Sequence, residues 1–334
     1  MPPNSNAWTG DVLIRGDALF IVVAALAFDA LIGDQDWLWR RLPHPVVWLG
    51  HLIGWLDRTL NRESWSRQQR KMAGVGATIL LVAVAGLTSW LVETALPRTM
   101  LGNLVLALLA SVLIAQRSLY QHVAEVRSAF AEEGLTGARE AVAMIVGRDP
   151  DRLDEAGVCR AAIESCAENF SDGVVAPAFW LALLGLPGLI VYKAINTADS
   201  MIGHRSARYE SFGWAAARLD DLVNFIPARL SGVLLATASP IANGTIKTSL
   251  QIMYRDAPKH RSPNAGWPEG AMAAALGLAL AGPRRYGDRV VDDPFLNDEG
   301  RRDARPDDIG RALDLYAAAC LFEAAAYAAL ALVV

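Results

Sequence analysis

The sequence predicts an all-α, polytopic integral membrane protein, and three observations carry that expectation. The 334 residues are 53% hydrophobic and only 20% charged, a low charge content for a soluble enzyme, and the mean hydropathy is positive at +0.25. The apolar residues come in blocks, about five of them, several as long as a bilayer is thick. Acids, amides and arginines crowd into the stretches between those blocks. The chain is expected to form one membrane-embedded helical domain, 1–334, with cytoplasmic polar regions at about 34–72, 116–173, 196–221 and 243–311. A net charge of −4 argues against nucleic acid as a partner. The three cysteines, Cys159, Cys166 and Cys320, have no zinc-site spacing and read as reduced structural thiols.

Taken in order, the first apolar run spans Ala18 to Gly33 behind a single basic residue, Arg15. Ala25-Leu26-Ala27 resembles a cleavage site, but the apolar blocks that follow favour a signal anchor. In the polar loop 34–72, Pro43 and Pro45 fix an extended entry and a helix begins after Pro45. The second span is Ala73 to Leu96, with Glu93 near its end and Pro97 stopping it. The third is Leu101 to Ala115. Apolar residues at helical spacing make 116–173 helical, and a helix start is expected at Asp149-Pro150 or Asp151.

The fourth block, Val174 to Ile195, contains Pro177, Gly185, Pro187 and Gly188, which predict a break in mid-helix. The fifth, Leu222 to Ala242, contains Pro227 and Pro240. Ala271 to Ala281 is too short to span. Residues 283–308 read as a solvated loop, and Leu313 to Val334 forms the last block. Arginine and lysine counts place 34–72, 116–173 and 243–311 in the cytoplasm and the link 97–100 outside. Arg205, Arg208 and Arg218 in 196–221 fit that orientation only if 174–195 and 222–242 re-enter on the side they leave. Such backbone is tolerated where it lines a polar cavity.

The chemistry concentrates between Glu164 and Arg229. Glu164, Glu168 and Asp172 are four apart and share a helix face. Asn196 and Asp199 are three apart, and Asp220 and Asn224 are four apart, so each pair points one way. Converging oxygen ligands suit a hard cation such as Mg²⁺, above all one that bridges a phosphorylated substrate. The competing reading is helix caps and salt bridges, residue by residue; the repeated spacing within apolar surroundings favours a site. His204, beside Asp199, is the acid–base candidate among five dispersed histidines. Arg205, Arg208, Arg218 and Arg229 could clamp phosphates or carboxylates, or snorkel at the membrane interface. The stretch from Arg255 to Ala273, with Asp256, Lys259, His260, Ser262, Asn264 and Glu269 around proline and glycine, reads as a fixed loop leading into a short helix whose N-terminus suits an anion, the competing reading being an ordinary turn with capping residues. No P-loop, HExxH or Rossmann fingerprint is present.

The ordered motifs DALIGD…LPHPVVWLG, ESCAENFSDGVVAPAFW, YKAINTADSMIGHRSARYESFGWAAARLDDLVNFIPARL and KHRSPNAGWPEGAMAAALG closely resemble the adenosylcobinamide-phosphate synthase family of cobalamin biosynthesis. The resemblance runs from about residue 20 to 330. Ala198 stands where that family more often has Leu, and His204 where an aromatic is common. The resemblance implies a multi-pass enzyme of the inner (plasma) membrane with its active site facing the cytoplasm. It implies an acid–amine ligase using ATP and Mg²⁺, which joins the propionate carboxyl of adenosylcobyric acid to (R)-1-aminopropan-2-ol or its O-phosphate. A carboxylate is a poor electrophile and needs activation, most simply as an acyl phosphate, before an amine attacks.

On that reading Glu164, Glu168, Asp199, Asp220 and Asp221 are metal ligands or general bases, with His204 a further catalytic candidate. His44, Asn169, Asn196, Ser200, Asn224 and Asn264 complete the polar shell, while Arg205, Arg208, Arg229, Lys259 and Arg261 hold phosphate or corrin carboxamide groups. Expected partners are the corrinoid, the amino alcohol or its phosphate, the lipid bilayer, and other cobalamin-assembly enzymes or further copies of the chain. Two other classes share the pattern. An intramembrane Mg²⁺-dependent prenyl- or phosphotransferase would show the same paired acids in NTADS and DDLVN. A corrinoid transporter or scaffold would use the discontinuous spans as a midplane site.

Overall fold

The computed structural model describes residues 16–33, 39, 41, 43–147, 150–286 and 289–334, and these are overwhelmingly helical. Helix α1 covers Gly16–Ile32, α2 Pro45–Leu60, α3 Arg67–Ala95, α4 Met100–Ser111, α5 Gln116–Glu132, α6 Gly134–Ala143 and α7 Glu155–Phe170. A π-turn at Ser171–Val175 leads into α8, Ala176–Ile202. Then follow α9 Trp214–Val223, α10 Phe225–Ala238, α11 Ile246–Asp256, α12 Gly266–Leu276 and α13 Pro306–Ala331.

Local chemistry sets the boundaries. Ser66 opens α3 with a capping box shared with Gln69, and Thr99 caps α4 through Gly102 N–H. α7 starts later than the Asp149–Asp151 region suggests. Asp149 lies outside the described residues, and the cap is Asp154, whose carboxylate accepts from Gly157 N–H at 2.7 Å. Pro227 breaks nothing, because it sits in the first turn of α10, where its missing N–H has no intrahelical partner to lose. The 283–308 segment is more structured than a solvated loop. Residues 284–286 pair antiparallel with 289–291, and Leu280–Ala281 pairs with Phe295–Leu296.

Among the described residues, five stretches are long and apolar enough to cross a membrane: Arg67–Ala95, Met100–Glu132, Glu155–Ile202, Phe225–Ala242 and Pro306–Ala331. Their outer faces carry exposed Ile79, Leu87, Trp90, Leu108, Phe225, Ile226 and Leu321, which suits lipid better than water. These features support a multi-pass membrane protein. α1 has 17 residues, the lower limit for a span, and its Leu19, Val22, Ala25 and Leu26 pack into the main core.

The stretch Glu155–Ile202 has 48 residues. At 1.5 Å per residue a straight rod would be about 70 Å long, against roughly 30 Å of hydrocarbon. It is not straight. The π-turn interrupts it, and Gly185 leaves helical geometry at φ 67°, ψ −156°, two residues before Pro187. The freed backbone is satisfied from outside: Leu186 N–H donates to Glu93 Oε2 at 2.8 Å. α8 joins two apolar clusters. Leu181, Leu186 and Leu189 belong to the main core, whereas Ala194, Ala198 and Ile202 pack with Ile53 of α2 and Leu81 of α3.

Candidate functional site

At the C-terminal end of α8 a cavity of about 860 Å³ opens, within the size range of small-molecule sites. It draws on five parts of the chain: Gly147 in the segment after α6, the end of α7 with its π-turn, the end of α8 with the turn after it, α9 with Asn224 at its end, and the loop before α12. Its lining carries the acids Glu168, Asp172, Asp199, Asp220 and Asp221, the basic residues His204, Arg205, Arg218 and Arg261, and the polar Ser171, Asn224, Ser262 and Asn264.

One hydrogen-bond circuit links two of the acids, Asp172 and Asp220. Asn196 Nδ2 lies 3.4 Å from Asp172 Oδ2 and 3.4 Å from Asp220 Oδ1. Asn224 Nδ2 donates to the other Asp220 oxygen at 3.0 Å. The buried Tyr192 hydroxyl lies 3.0 Å from both Asn224 Oδ1 and the Asp172 carbonyl, which ties the π-turn to α9 through α8. The four-residue spacing of Asp220 and Asn224 makes their contact, as the sequence predicts. Gly203 gives Asp199 room: a Cβ there would stand 2.0 Å from Asp199 Oδ1. Arg218 pairs with Asp221 at 2.9 Å, and Asn264 Nδ2 donates to the Asp221 carbonyl at 2.8 Å. Burial pushes the Asp220 carboxyl up to about 7, with the Asp199 carboxylate adding to the rise and the Asn224 and Asn196 amides opposing it.

The structure thus brings together Glu168, Asp199, His204, Arg205, Asp220, Asp221, Asn224, Arg261 and Asn264, with Asn196 bonded to the acids behind them. It places the other candidates elsewhere. Glu164 is buried one turn back, where its Oε1 accepts from Ala281 N–H at 2.9 Å; of the face shared by Glu164, Glu168 and Asp172, only Glu168 and Asp172 reach the cavity. His44 caps α2 by accepting from Val46 N–H and bonds the Val112 carbonyl. Asn169 donates to the Ser165 carbonyl and hydroxyl. Ser200 is exposed outside the cavity. Arg208 pairs with Asp57 at 2.7 Å. Arg229 donates to the Phe225 carbonyl and lies over the Phe225 and Trp267 rings. Lys259 pairs with the buried Asp256 at 2.6 Å.

Sequence reasoning gave no role to Ser171 or Tyr192, and put Asp172 on a face without assigning it to the site. Ser171 and Asp172 follow Phe170 in the ENFSDG motif, and Tyr192 is a phenol inside an apolar run, which was the available signal.

Among the described residues, no three His, Cys, Asp or Glu side chains stand close enough to hold a metal ion by themselves. The five carboxylates expected as ligands therefore form no closed cage. Two carboxylates joined by one amide fit a different arrangement, in which Mg²⁺ takes one or two protein oxygens and completes its shell with water and substrate phosphate.

The family model described as CobD/Cbib protein matches residues 22–316. Cobalamin biosynthesis protein CobD of Rhizobium meliloti (strain 1021) is 51% identical over 322 residues, covering 96% of this chain and 98% of that protein. The protein of the same name from Brucella suis biovar 1 (strain 1330) is 51% identical over 301 residues, 89% of this chain and 92% of its own length. That of Rhodobacter capsulatus is 49% identical over 296 residues, with the same coverage, 89% and 92%. No solved structure matches the chain.

Proposed function

The chain belongs to the CobD/Cbib protein family, and on that premise we propose that it acts in cobalamin biosynthesis as an acid–amine ligase of the inner membrane. The names of its relatives support the pathway. In the proposed reaction the propionate carboxyl of adenosylcobyric acid is joined to (R)-1-aminopropan-2-ol or its O-phosphate, with ATP as co-substrate and the cavity open to the cytoplasm. The observation that carries this reading is the gathering of five carboxyl groups and three guanidinium groups in the lining of one cavity.

Each set of groups has a task. Arg205 and Arg261 face the cavity and hold the anionic groups, the phosphoryl being transferred and the substrate's own phosphate. Asp172 and Asp220 would hold Mg²⁺, which when bound screens the phosphate charges during activation of the carboxyl. Asn196 and Asn224 orient the two carboxylates, and Tyr192 braces Asn224. Phosphoryl transfer from ATP makes the carboxyl an acyl phosphate and releases ADP. The amine nitrogen then attacks the carbonyl carbon, the C–N bond forms, phosphate leaves, and Asp199 takes the proton the nitrogen sheds.

The test is direct. The chain is purified in detergent and given adenosylcobyric acid, the amino alcohol phosphate, ATP and Mg²⁺, and the product is examined by mass. A new amide is expected. An unchanged corrinoid, together with turnover of a polyprenyl diphosphate, would transfer the acid pair to prenyl or phosphoryl chemistry.

A further inference from the structure

The turn between α8 and α9, residues 203–213, makes contacts in two directions. His204 and Arg205 enter the lining of the cavity. Three and four residues after Arg205, Arg208 and Tyr209 reach α2 instead. Arg208 Nη2 donates to Asp57 Oδ2 at 2.7 Å, and the Tyr209 hydroxyl lies 3.5 Å from the same oxygen. Asp57 sits in the last turn of α2 and is 7% exposed. A buried carboxylate is costly unless it is paired, so the guanidinium is held to it. The other acid near Arg208, Glu63, stands at 3.8 Å with its side chain 84% exposed, and such a pair adds little.

Asp57 is the centre of a wider clamp. Its Oδ1 accepts from Asn61 Nδ2 at 2.8 Å. The same amide group donates to the Arg208 carbonyl at 3.2 Å, and Asn61 Oδ1 accepts from Arg70 Nε at 2.8 Å. Arg70, on α3, also donates to the carbonyls of Ala207 and Arg208. Carbonyls of an irregular turn need donors from elsewhere, and here they come from the α2–α3 side. The end of the turn is fixed by close packing. A Cβ on Gly74 of α3 would stand 1.9 Å from the Phe212 carbonyl oxygen, and one on Gly213 would stand 1.7 Å from that of Ile202. Bonds inside the turn are local, such as Ser206 N–H to the His204 carbonyl and Tyr209 N–H to the Ser206 carbonyl. They set its shape; the contacts with α2 and α3 set its place.

We propose that Asp57 is a positioning residue for the anion-binding part of the cavity: through Arg208 it holds the 203–213 turn where Arg205 meets a phosphate. This rests on the reading of Arg205 as an anion-binding group and adds what fixes that guanidinium in place. Arg205 is three residues from Arg208, so a turn that slips from α2 carries Arg205 with it. Removing Asp57 has two opposed effects. Losing a negative charge favours a bound anion by Coulomb attraction, whereas releasing the turn disfavours it. The clamp predicts that release wins, because a displaced guanidinium loses a charge-assisted, bidentate contact, while a charge outside the cavity acts through screening solvent.

The experiment is equilibrium binding of inorganic phosphate and of (R)-1-aminopropan-2-ol O-phosphate to the full chain in detergent, run beside the amide-forming assay. Asp57→Ala is expected to weaken both probes by about tenfold and to raise KM for the amino alcohol phosphate, with kcat at saturation within about twofold. Asp57→Asn keeps an acceptor for Asn61 and Arg208, which guards against misfolding of the Ala variant, and should show a smaller loss in the same direction. In an Arg205→Ala background the Asp57→Ala loss should disappear; in an Arg261→Ala background it should persist. A general loosening of the fold would act alike in both. Unchanged or tighter phosphate binding in both Asp57 variants overturns the clamp and leaves the proposed reaction standing, as does an equal loss in the two backgrounds. An Arg205-dependent loss in a chain that makes no amide supports the clamp and overturns the reaction. A chain that binds neither probe overturns the clamp.

Discussion

The amide of Asn196 lies 3.4 Å from a carboxylate oxygen of Asp172 and 3.4 Å from one of Asp220. A single neutral donor thus separates two acids drawn from different helical segments, and the pair is close enough to compete for one cation. Replacing Asn196 by Leu removes that donor and leaves two buried carboxyl groups without the amide between them. Turnover is expected to fall by about tenfold or more while the helical circular-dichroism signal is retained.

The raised Asp220 carboxyl gives a pH dependence with a definite sign. An acid whose value in the folded chain is about 7, above its unfolded value near 4, holds its proton longer when folded. Its contribution to stability is full below about pH 4 and is lost as pH rises through 7, where ionisation is forced in a buried site. A divalent cation must displace that proton, so Mg²⁺ should raise Tm more at pH 8 than at pH 6. Asp220→Asn should be more stable than wild type at pH 8 without metal, and its Mg²⁺ effect should change less with pH.

Glu93 and Gly185 form a structural joint. Glu93 accepts from Leu186 N–H at 2.8 Å, and a Cβ on Gly185 would come 2.8 Å from that carboxylate at a φ of +67°. Glu93→Ala is expected to destabilise the chain by about 1–3 kcal/mol, the cost of a buried donor without a partner. Glu93→Gln, which keeps an acceptor oxygen, should cost less. Gly185→Ala should lower Tm through both the φ and the close contact. Thermal unfolding in detergent reads all three.

Glu164 separates fold from chemistry. It accepts from the N–H of Ala281, a residue held at positive φ, and it lies outside the cavity. Glu164→Gln should therefore retain amide formation near the wild-type level. Glu164→Ala should lose about 1–3 kcal/mol of stability, seen as a lower Tm with little change in kcat for the protein that remains folded.

The sequence carried most of this arrangement. Apolar block lengths located the spans, and Gly185 with Pro187 located the break in α8. The spacing of Asp220 and Asn224 set their contact, because four residues on a helix is a local relation. What it could not carry depends on neighbours far along the chain. Glu164 shares its helix face with Glu168 but meets Ala281, 117 residues away. Lys259 and Arg208 carry the right charge for a phosphate, yet Asp256 and Asp57 take them first. His44 has the chemistry of a ligand and serves as a cap. Asp172 reaches Asn196 from a π-turn, and a reading in α-helical steps does not foresee that geometry.

The most direct measurement of the central claim is amide formation by Asp199→Ala and Asp220→Ala chains, purified in detergent and supplied with adenosylcobyric acid, amino alcohol phosphate, ATP and Mg²⁺. Abolished product from chains whose helicity and unfolding remain cooperative is the predicted result. Near-normal turnover in both variants would contradict the account.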